Sequence, residues 1–149
     1  MIIKSTRKIG WCVLSVLLIP AAHGCGGSSD GVSRAAVQGS ARLDGKPIQQ
    51  GTISFFPTRE TKGPVVGALI SEGQYELPRS KGPVIGWNQV QISWRRKTGR
   101  KIEAGSPAPP GHMVDEITEA VPAQFNSEST LEREIQDKKN VLDFNLISE

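Results

Sequence analysis

The chain has 149 residues, with 18 Lys and Arg against 15 Asp and Glu, and a formal net charge of +3. Three of the bases, Lys4, Arg7 and Lys8, lie in an N-terminal stretch that holds no acid, and 18 less these three leaves 15 bases against 15 acids. The remainder is therefore close to neutral, which excludes the strong basicity of a nucleic-acid-binding protein. Its length suits one domain with its own core and is too short for two.

An N-terminal targeting pattern follows these bases. Residues 9–19 form an apolar run, which is shorter than the about 20 residues that a membrane-spanning helix needs but suits the apolar region of a secretory signal. Pro20 ends the run, and small residues then precede Cys25. The pattern predicts a signal helix that directs export and is removed.

The end of this segment resembles the lipobox of bacterial lipoproteins, in which a small residue precedes a cysteine that is acylated and becomes the new N-terminus. Gly24 and Cys25 match that motif, Ala22 stands where Leu is commoner, and His23 departs from the usual small or apolar residue. The resemblance implies a lipoprotein signal peptide over residues 1–24, with lipid attachment at Cys25. It places the protein on a cell-envelope membrane, facing an extracytoplasmic compartment. The alternative is ordinary signal cleavage near Ala22 or Gly24, which gives a secreted domain with a free thiol.

The chain has two cysteines, and we expect no disulfide between them. Cys12 lies in the apolar run and leaves with the signal, and Cys25 carries the lipid. Residues 25–35 are rich in Gly and Ser, which predicts a flexible tether. The folded domain then occupies residues 36–149 and depends on its core alone for stability.

The first half of this domain alternates between apolar and polar residues with the period of two that is typical of half-buried strands. The predicted strands cover residues 37–43, 51–56, 64–70, 74–77 and 87–94. The turn sequence Asp44-Gly45 joins the first two into a predicted hairpin, and a turn around Gly73 joins the next two into another.

Two further strands, at residues 130–135 and 140–146, are predicted to pair with each other and close the domain. The side chains expected to face the core here are Leu142, Phe144 and Leu146. Arg133 lies in phase with apolar neighbours and is expected to extend to a rim. The sum is an all-β fold of about seven strands, a Greek-key β-sandwich of prealbumin or immunoglobulin type, after the signal helix and the linker.

Three of these runs also carry a family resemblance. They are Val37 to Ile48 with its Asp-Gly-Lys-Pro turn, Gly51-Thr-Ile-Ser-Phe55, and Gly73-Gln-Tyr-Glu-Leu77. Over about residues 36–95 the chain is similar to carboxypeptidase-regulatory-like domains of the transthyretin-like type. More narrowly, it resembles small lipoproteins of planctomycete-type bacteria that combine such a domain with a segment like residues 117–131. The resemblance implies a prealbumin-like sandwich and an extracytoplasmic accessory role, and it implies no chemistry.

One enzyme class, the hydroxyisourate hydrolases, has a transthyretin-like fold. These enzymes use paired histidines, an arginine and a C-terminal Tyr-Arg-Gly-Ser motif, whereas this chain after its signal has one histidine, His112, and ends in Leu146-Ile-Ser-Glu149. His112 also lies in a segment flanked by Pro and Gly, without a nucleophile elbow. The chain is therefore predicted not to be an enzyme and to need no cofactor.

Four residues that can bind metals lie close together in the sequence, namely His112, Asp115, Glu116 and Glu119. Their spacing matches no standard zinc or calcium loop. We therefore predict a solvated acidic loop and no metal site. A hard cation held by the three carboxylates is the alternative.

Residues 95–126 are predicted to form a long loop, and connections of this length are usually functional or mobile. A basic head, a stiff Pro-rich middle and an acidic tail follow one another. The candidate interaction surface is the basic head, Arg95, Arg96, Lys97, Arg100 and Lys101. It contacts anionic lipid headgroups or acidic envelope polymers, protects a sheet edge from aggregation, or pairs with the acidic tail. Residues 115–120 are expected to form a helical turn, and Phe125 to hold the loop on the sandwich.

Two classes of function follow from these features. The first is an exported, lipid-anchored envelope protein that acts as a non-catalytic binding or structural module toward an envelope protein or glycan. The second is an accessory subunit of an envelope enzyme or transporter complex. An exposed apolar or aromatic patch around Trp87 favours the first class, and co-purification of one stoichiometric partner favours the second. No nucleic-acid partner is expected.

Overall fold

The computed structural model describes residues 31–148. The predicted signal helix, the lipid attachment at Cys25 and most of the tether lie outside the described residues. The end of the tether belongs to the fold, because the amide of Ala35 donates to the carbonyl of Pro83 and Ala35 is fully buried. The amide of Ile85 likewise donates to the carbonyl of Ser33. The folded domain therefore begins a few residues before position 36.

The described chain is all-β, as predicted from the sequence. Its strands are β1 (Val37–Leu43), β2 (Lys46–Pro47), β3 (Gln50–Pro57), β4 (Val66–Ser71), β5 (Gln74–Leu77), β6 (Gly86–Ser93), β7 (Arg95–Glu103), β8 (Met113–Glu119), β9 (Glu132–Ile135), β10 (Asn140–Val141) and β11 (Phe144–Leu146). Two single 3₁₀ turns, Arg79–Lys81 and Ala123–Phe125, are the helical elements of this part of the chain.

Nine strands form one curled, mainly antiparallel sheet, which we call the body. Its order is β10, β1, β5, β4, β3, β6 and β9, with β2 and β11 pairing to the second half of β1. At its start β1 pairs with β10 and β5, and after Gly39 and Ser40 it pairs with β11 and β2. A strand that exchanges neighbours along its length lets one sheet turn over a common core. The arrangement is consistent with the predicted β-sandwich.

The core lies on the concave side of the curled sheet and follows the predicted alternation. Phe55, Tyr75 and Phe144 form its centre, with neighbouring ring centroids 6.5 Å apart. Aliphatic side chains surround these rings, namely Val37, Ala41, Leu43, Ile48, Ile53, Ile70, Leu77, Val90, Ile92, Ile135 and Leu146. Leu142 packs against the cluster from its margin. The prediction that Phe144 and Leu146 face the core is confirmed.

The pairing of the strands differs from the predicted hairpins. After the turn at Asp44 and Gly45, both with positive φ, only the two residues of β2 return along β1. Ile48 is then buried, and the chain moves away, so that β3 pairs with β4 and β6 while β1 pairs with β5. The second predicted hairpin forms, although β4 and β5 share only the pair Ser71 and Gln74 in register.

The predicted closing hairpin is wrong. The strand β9 pairs with β6, whereas β10 and β11 run parallel to β1. Burial explains the outcome, because pairing to opposite ends of the sheet lets Ile135 and Phe144 both enter the core. Arg133 is half-buried, and its guanidinium lies 5.2 Å from the centre of the Phe144 ring. This position agrees with the expected extension along apolar surface.

The segment 95–126 is mostly strand and not loop. The strands β7 and β8 pair with each other, with an irregularity between Lys97 and Lys101, and form a separate two-stranded sheet. We call residues 95–119 the arm. The helical turn expected at 115–120 is wrong, since most of it belongs to β8. Phe125 packs against the core beyond the arm, as expected.

Candidate binding cleft between arm and body

Glu119 fixes the base of the arm. Its carboxylate accepts hydrogen bonds from the Ser93 hydroxyl at 2.5 Å, the Trp94 amide at 2.8 Å and the Val121 amide at 2.9 Å. The amide of Ala120 also donates to the carbonyl of Trp94. Partial burial raises the pKa of the Glu119 carboxyl, but the donors from Ser93, Val121 and Trp94 outweigh it and hold the pKa below its usual range. The ionised carboxylate therefore ties both strands of the arm to the end of β6.

Along the arm, basic residues of β7 pair with acids of β8. Nζ of Lys97 lies 2.5 Å from one oxygen of Asp115, and Nζ of Lys101 lies 3.6 Å from the other. Hydrogen bonding and charge from Lys97, with the charge of Lys101, lower the pKa of Asp115. The Arg100 guanidinium binds both oxygens of Glu116, at 2.8 and 3.0 Å. Three members of the predicted basic head are thus engaged within the arm.

The other two members of the basic head differ from these three. Among residues 31–148, no carboxylate lies within ion-pair distance of Arg95 or Arg96. The Arg96 guanidinium lies 5.4 Å from the centre of the Trp94 ring, whereas Arg95 is exposed where the arm joins the body. Within the described chain, the five predicted residues therefore divide into a paired group on the arm and two cations at its base that have no carboxylate partner.

The structure separates the four residues considered for a metal. Asp115 binds the two lysines, Glu116 binds Arg100 and Thr98, and Glu119 binds backbone amides at the base. His112 is exposed near the tip, where its carbonyl accepts from the Ala104 amide. Across residues 31–148, no three His, Cys, Asp or Glu side chains are grouped so that they can hold a metal ion.

Two adjoining cavities of about 500 and 580 Å³ lie where the arm meets the convex face of the body. Gln50, Ser71 and Arg95 line both cavities, which we together call the cleft. The lining also includes Thr52, Leu69 and Ser93 from the body and Trp94, Arg96 and Ile117 from the arm and its base.

Leu69 is the most exposed apolar residue of the cleft, and the sequence does not predict its position there. It is 78% exposed although it lies in the middle of β4. Ala68 pairs with the buried Ile53 and Ile70 is itself buried, so Leu69 between them, which pairs with the exposed Thr52, must face outward. The run from Val65 to Ile70 is apolar at nearly every position, and its face can be assigned only once the register with β3 is known.

Trp87, around which an exposed patch would favour a binding module, is half-buried, and other side chains cover it. The Arg59 guanidinium lies 3.9 Å from the centre of its ring and forms an ion pair with Glu132 at 2.6 Å. The Trp87 amide donates to the Thr61 hydroxyl. These contacts cover the aromatic surface at this position.

The chain matches no protein-family model, no curated protein and no solved structure. Within residues 31–148, no helix has the length and apolar character needed to cross a membrane.

Proposed function

We propose that this protein is a lipid-anchored component of the bacterial cell envelope that acts as a non-catalytic binding module, with the cleft as its binding surface. The observation that carries the proposal is the combination of Leu69 and Arg95 on one open surface. Because Leu69 is exposed to this degree, a ligand that covers it removes apolar surface from water, which favours binding. An arginine without a carboxylate partner retains its five donors for a ligand.

The lipobox-like sequence ending at Cys25 supports the anchor. Several acyl chains give an attachment that does not depend on the folded domain. The domain is then free to use its whole surface for recognition.

Intact-mass measurement on protein recovered from bacterial membranes tests the anchor. We expect a species that begins at Cys25 and carries added acyl mass, and we expect the Cys25→Ala variant to lack it. Unmodified protein in the soluble fraction contradicts lipid attachment and favours the secreted form.

Photo-cross-linking in intact cells tests the binding surface without assuming a ligand. A diazirine amino acid at position 69 is expected to capture envelope material, because Leu69 lies in the cleft. The same amino acid at Lys62, an exposed residue outside the cleft, serves as the matched control. Equal capture at the two positions, or none at position 69, contradicts binding through the cleft.

The exposed apolar residues of the arm favour a second candidate function, an accessory subunit of an envelope enzyme or transporter complex. Ile102, Met113, Val114 and Ile117 are between 37% and 51% exposed and lie on both faces of the two-stranded arm. Single exposed apolar residues are ordinary, but four on a narrow projection are typical of a protein contact.

Affinity purification in mild detergent tests this candidate. One partner in constant ratio, lost in the Ile102→Lys variant and retained in Val65→Lys, supports it. Val65 is a suitable control because it is 51% exposed and lies outside the arm. The absence of a stoichiometric partner contradicts the accessory role.

A further inference from the structure

We infer that the ligand of the cleft is an acidic polysaccharide, with a carboxylate or sulfate of the sugar chain bound by Arg95. This inference rests on the proposed function and specifies the chemistry of the ligand. It depends on three features of the surface, which are its extent across the sheet, the kind of polar side chain on its floor and the position of its free cations.

The surface is long enough for a polymer. A third cavity of about 460 Å³ also includes Leu69 and Ser71 and continues across β5 and β1 to Val141 of β10. The sheet from β10 to β6 contains six neighbouring strands, and the five spacings between them are about 4.8 Å each. The surface therefore extends for roughly 24 Å across the strands, which exceeds the length of a single sugar or amino acid.

The floor consists of neutral side chains that both donate and accept hydrogen bonds. The outward positions of the central strands carry Gln50, Thr52 and Ser54 on β3, Ser71 on β4, Gln74 on β5 and Gln91 on β6. Gln89 and Ser93 also face outward on β6, but Gln89 donates to the Ser129 carbonyl and the Ser93 hydroxyl donates to Glu119. Amides and hydroxyls match sugar hydroxyls, because each group in such a contact can supply either the proton or the lone pair. Leu69, in the middle of this floor, offers an aliphatic patch to the CH groups of a sugar ring.

A peptide strand is less well suited to this floor. Recognition of an extended peptide by strand addition needs the free backbone groups of a sheet edge. The strand β3 lies inside the sheet, where β4 and β6 use its backbone groups on both sides, whereas β4 pairs with β5 only at Ser71 and Gln74. Above β3 a ligand can therefore reach only side chains, which favours a ligand that presents hydroxyls over one that presents amides.

The charges at the two ends of the surface indicate that the preferred sugar is acidic. At the arm end of the cleft, Arg95 and Arg96 have no carboxylate partner within residues 31–148, whereas Lys97 is bound by Asp115 and Glu72 is the acid that lines the cleft. The opposite end carries Glu76 and Asp143, and Asp143 accepts from the amide and hydroxyl of Ser40. An acidic sugar is therefore expected to bind at the arm end, with neutral parts of the chain across the middle.

Isothermal titration of the detergent-solubilised, full-length protein tests the inference with three defined polymers. These are polygalacturonate as the acidic polysaccharide, dextran as the neutral one and polyglutamate as an acidic peptide. We expect polygalacturonate to bind at least about tenfold more tightly than either of the others. This factor corresponds to one charge-assisted hydrogen bond in addition to the hydroxyl contacts.

Matched variants assign the binding to the cleft. Arg95→Glu is expected to weaken polygalacturonate binding by about tenfold or more, and Lys62→Glu, with the same change in net charge, to leave it unchanged. Leu69→Gln is expected to weaken it, and Val65→Gln is not. All four positions are exposed, so thermal unfolding is expected to confirm that the variants fold.

The other outcomes overturn the inference. Equal binding of dextran shows that the acid is not recognised, and equal binding of polyglutamate shows that charge alone acts. An equal loss of affinity for polygalacturonate in Arg95→Glu and Lys62→Glu shows that the net charge of the protein attracts the polymer and that the cleft does not recognise it. If no polysaccharide binds while position 69 captures material in cells, the acidic polysaccharide is wrong and the binding module stands. If position 69 also captures nothing, both proposals fail.

Discussion

The body and the arm are built from the same strand conformation but are stabilised by different interactions. Each main strand of the body buries alternate side chains in a common core, as Ile53 and Phe55 do in β3. In β7, by contrast, every residue from Arg95 to Glu103 is exposed. Burial stabilises the first region, and cross-strand ion pairs with the hydrogen bonds of Glu119 hold the second. The two regions therefore differ in stability although both have an extended backbone, and the arm is the less stable of the two.

This difference predicts that the arm opens before the body unfolds. A two-stranded sheet is marginally stable by itself, and exposed ion pairs contribute about 0–1 kcal/mol each. Local opening occurs where few apolar contacts hold the backbone. Substitutions in the body should therefore change global stability, and substitutions in the arm should change local protection.

The largest effect is expected at Gly39 in the body. A Cβ atom at this position would lie 1.9 Å from the carbonyl oxygen of Leu142. Leu142 cannot easily move, because its amide donates to the Gln38 carbonyl and its carbonyl accepts from the Tyr75 hydroxyl. We expect Gly39→Ala to lower the free energy of urea unfolding by about 3 kcal/mol or more.

The matched control for this glycine lies in the arm. A methyl group added at Gly105 would enter open space, so Gly105→Ala should leave the free energy of unfolding nearly unchanged. Equal losses from the two substitutions would contradict the assignment of global stability to the body.

A smaller loss is expected from Tyr75→Phe. The Tyr75 hydroxyl donates to the Leu142 carbonyl at 2.7 Å, and its burial, followed by the charge of Asp143, raises the pKa of the phenol. Removing the hydroxyl leaves a carbonyl without this donor and should cost about 1–2 kcal/mol in urea unfolding. An unchanged free energy would show that this hydrogen bond does not hold β10 and β11 in place.

A pH-dependent effect is expected at the base of the arm. Because the folded-state pKa of Glu119 lies below its ordinary value of 4.5, its stabilising contribution is present above pH 4.5 and is lost as the pH falls through the lowered pKa. Glu119→Gln should therefore lower the exchange protection of the Trp94 and Val121 amides at neutral pH. The two proteins should become alike in acid, and equal protection at neutral pH would contradict the role of the carboxylate.

The smallest global effect is expected from Arg100→Ala. This substitution removes the ion pair with Glu116, and we expect it to change the free energy of unfolding by no more than about 0.5 kcal/mol. Hydrogen exchange along β8 should nevertheless become faster. A matched change, Arg79→Ala, removes the exposed pair with Asp137 outside the arm and should leave exchange in β8 unchanged.

The sequence predicts which side chains face the core better than it predicts which strands pair. Alternation places Val37, Ile53 and Phe144 inside because a period of two is a local property of the chain. Pairing depends on contacts between distant segments of the chain. Asp44-Gly45 therefore correctly predicts a turn, but it does not predict that only the two residues of β2 pair with β1 after the turn.

The arm and the cleft were harder to predict for the same reason. The strands β7 and β8 bury no face, and without an apolar alternation the segment resembles a charged loop. The basic head is predicted correctly as a cluster because charge is visible in the sequence. Lys97 and Arg100 have carboxylate partners and Arg95 has none, and this division can be predicted only from the register of β7 with β8. The exposure of Leu69 can likewise be predicted only from the register of β3 with β4.

Single-particle tracking of the protein in living cells tests the central claim most directly, since it measures anchoring and binding together. A lipid-anchored protein whose cleft is occupied by an envelope polymer should diffuse slowly, and Arg95→Glu combined with Leu69→Gln should diffuse faster. Lys62→Glu combined with Val65→Gln should remain as slow as the unaltered protein. Equal diffusion of all three forms would contradict recognition through the cleft.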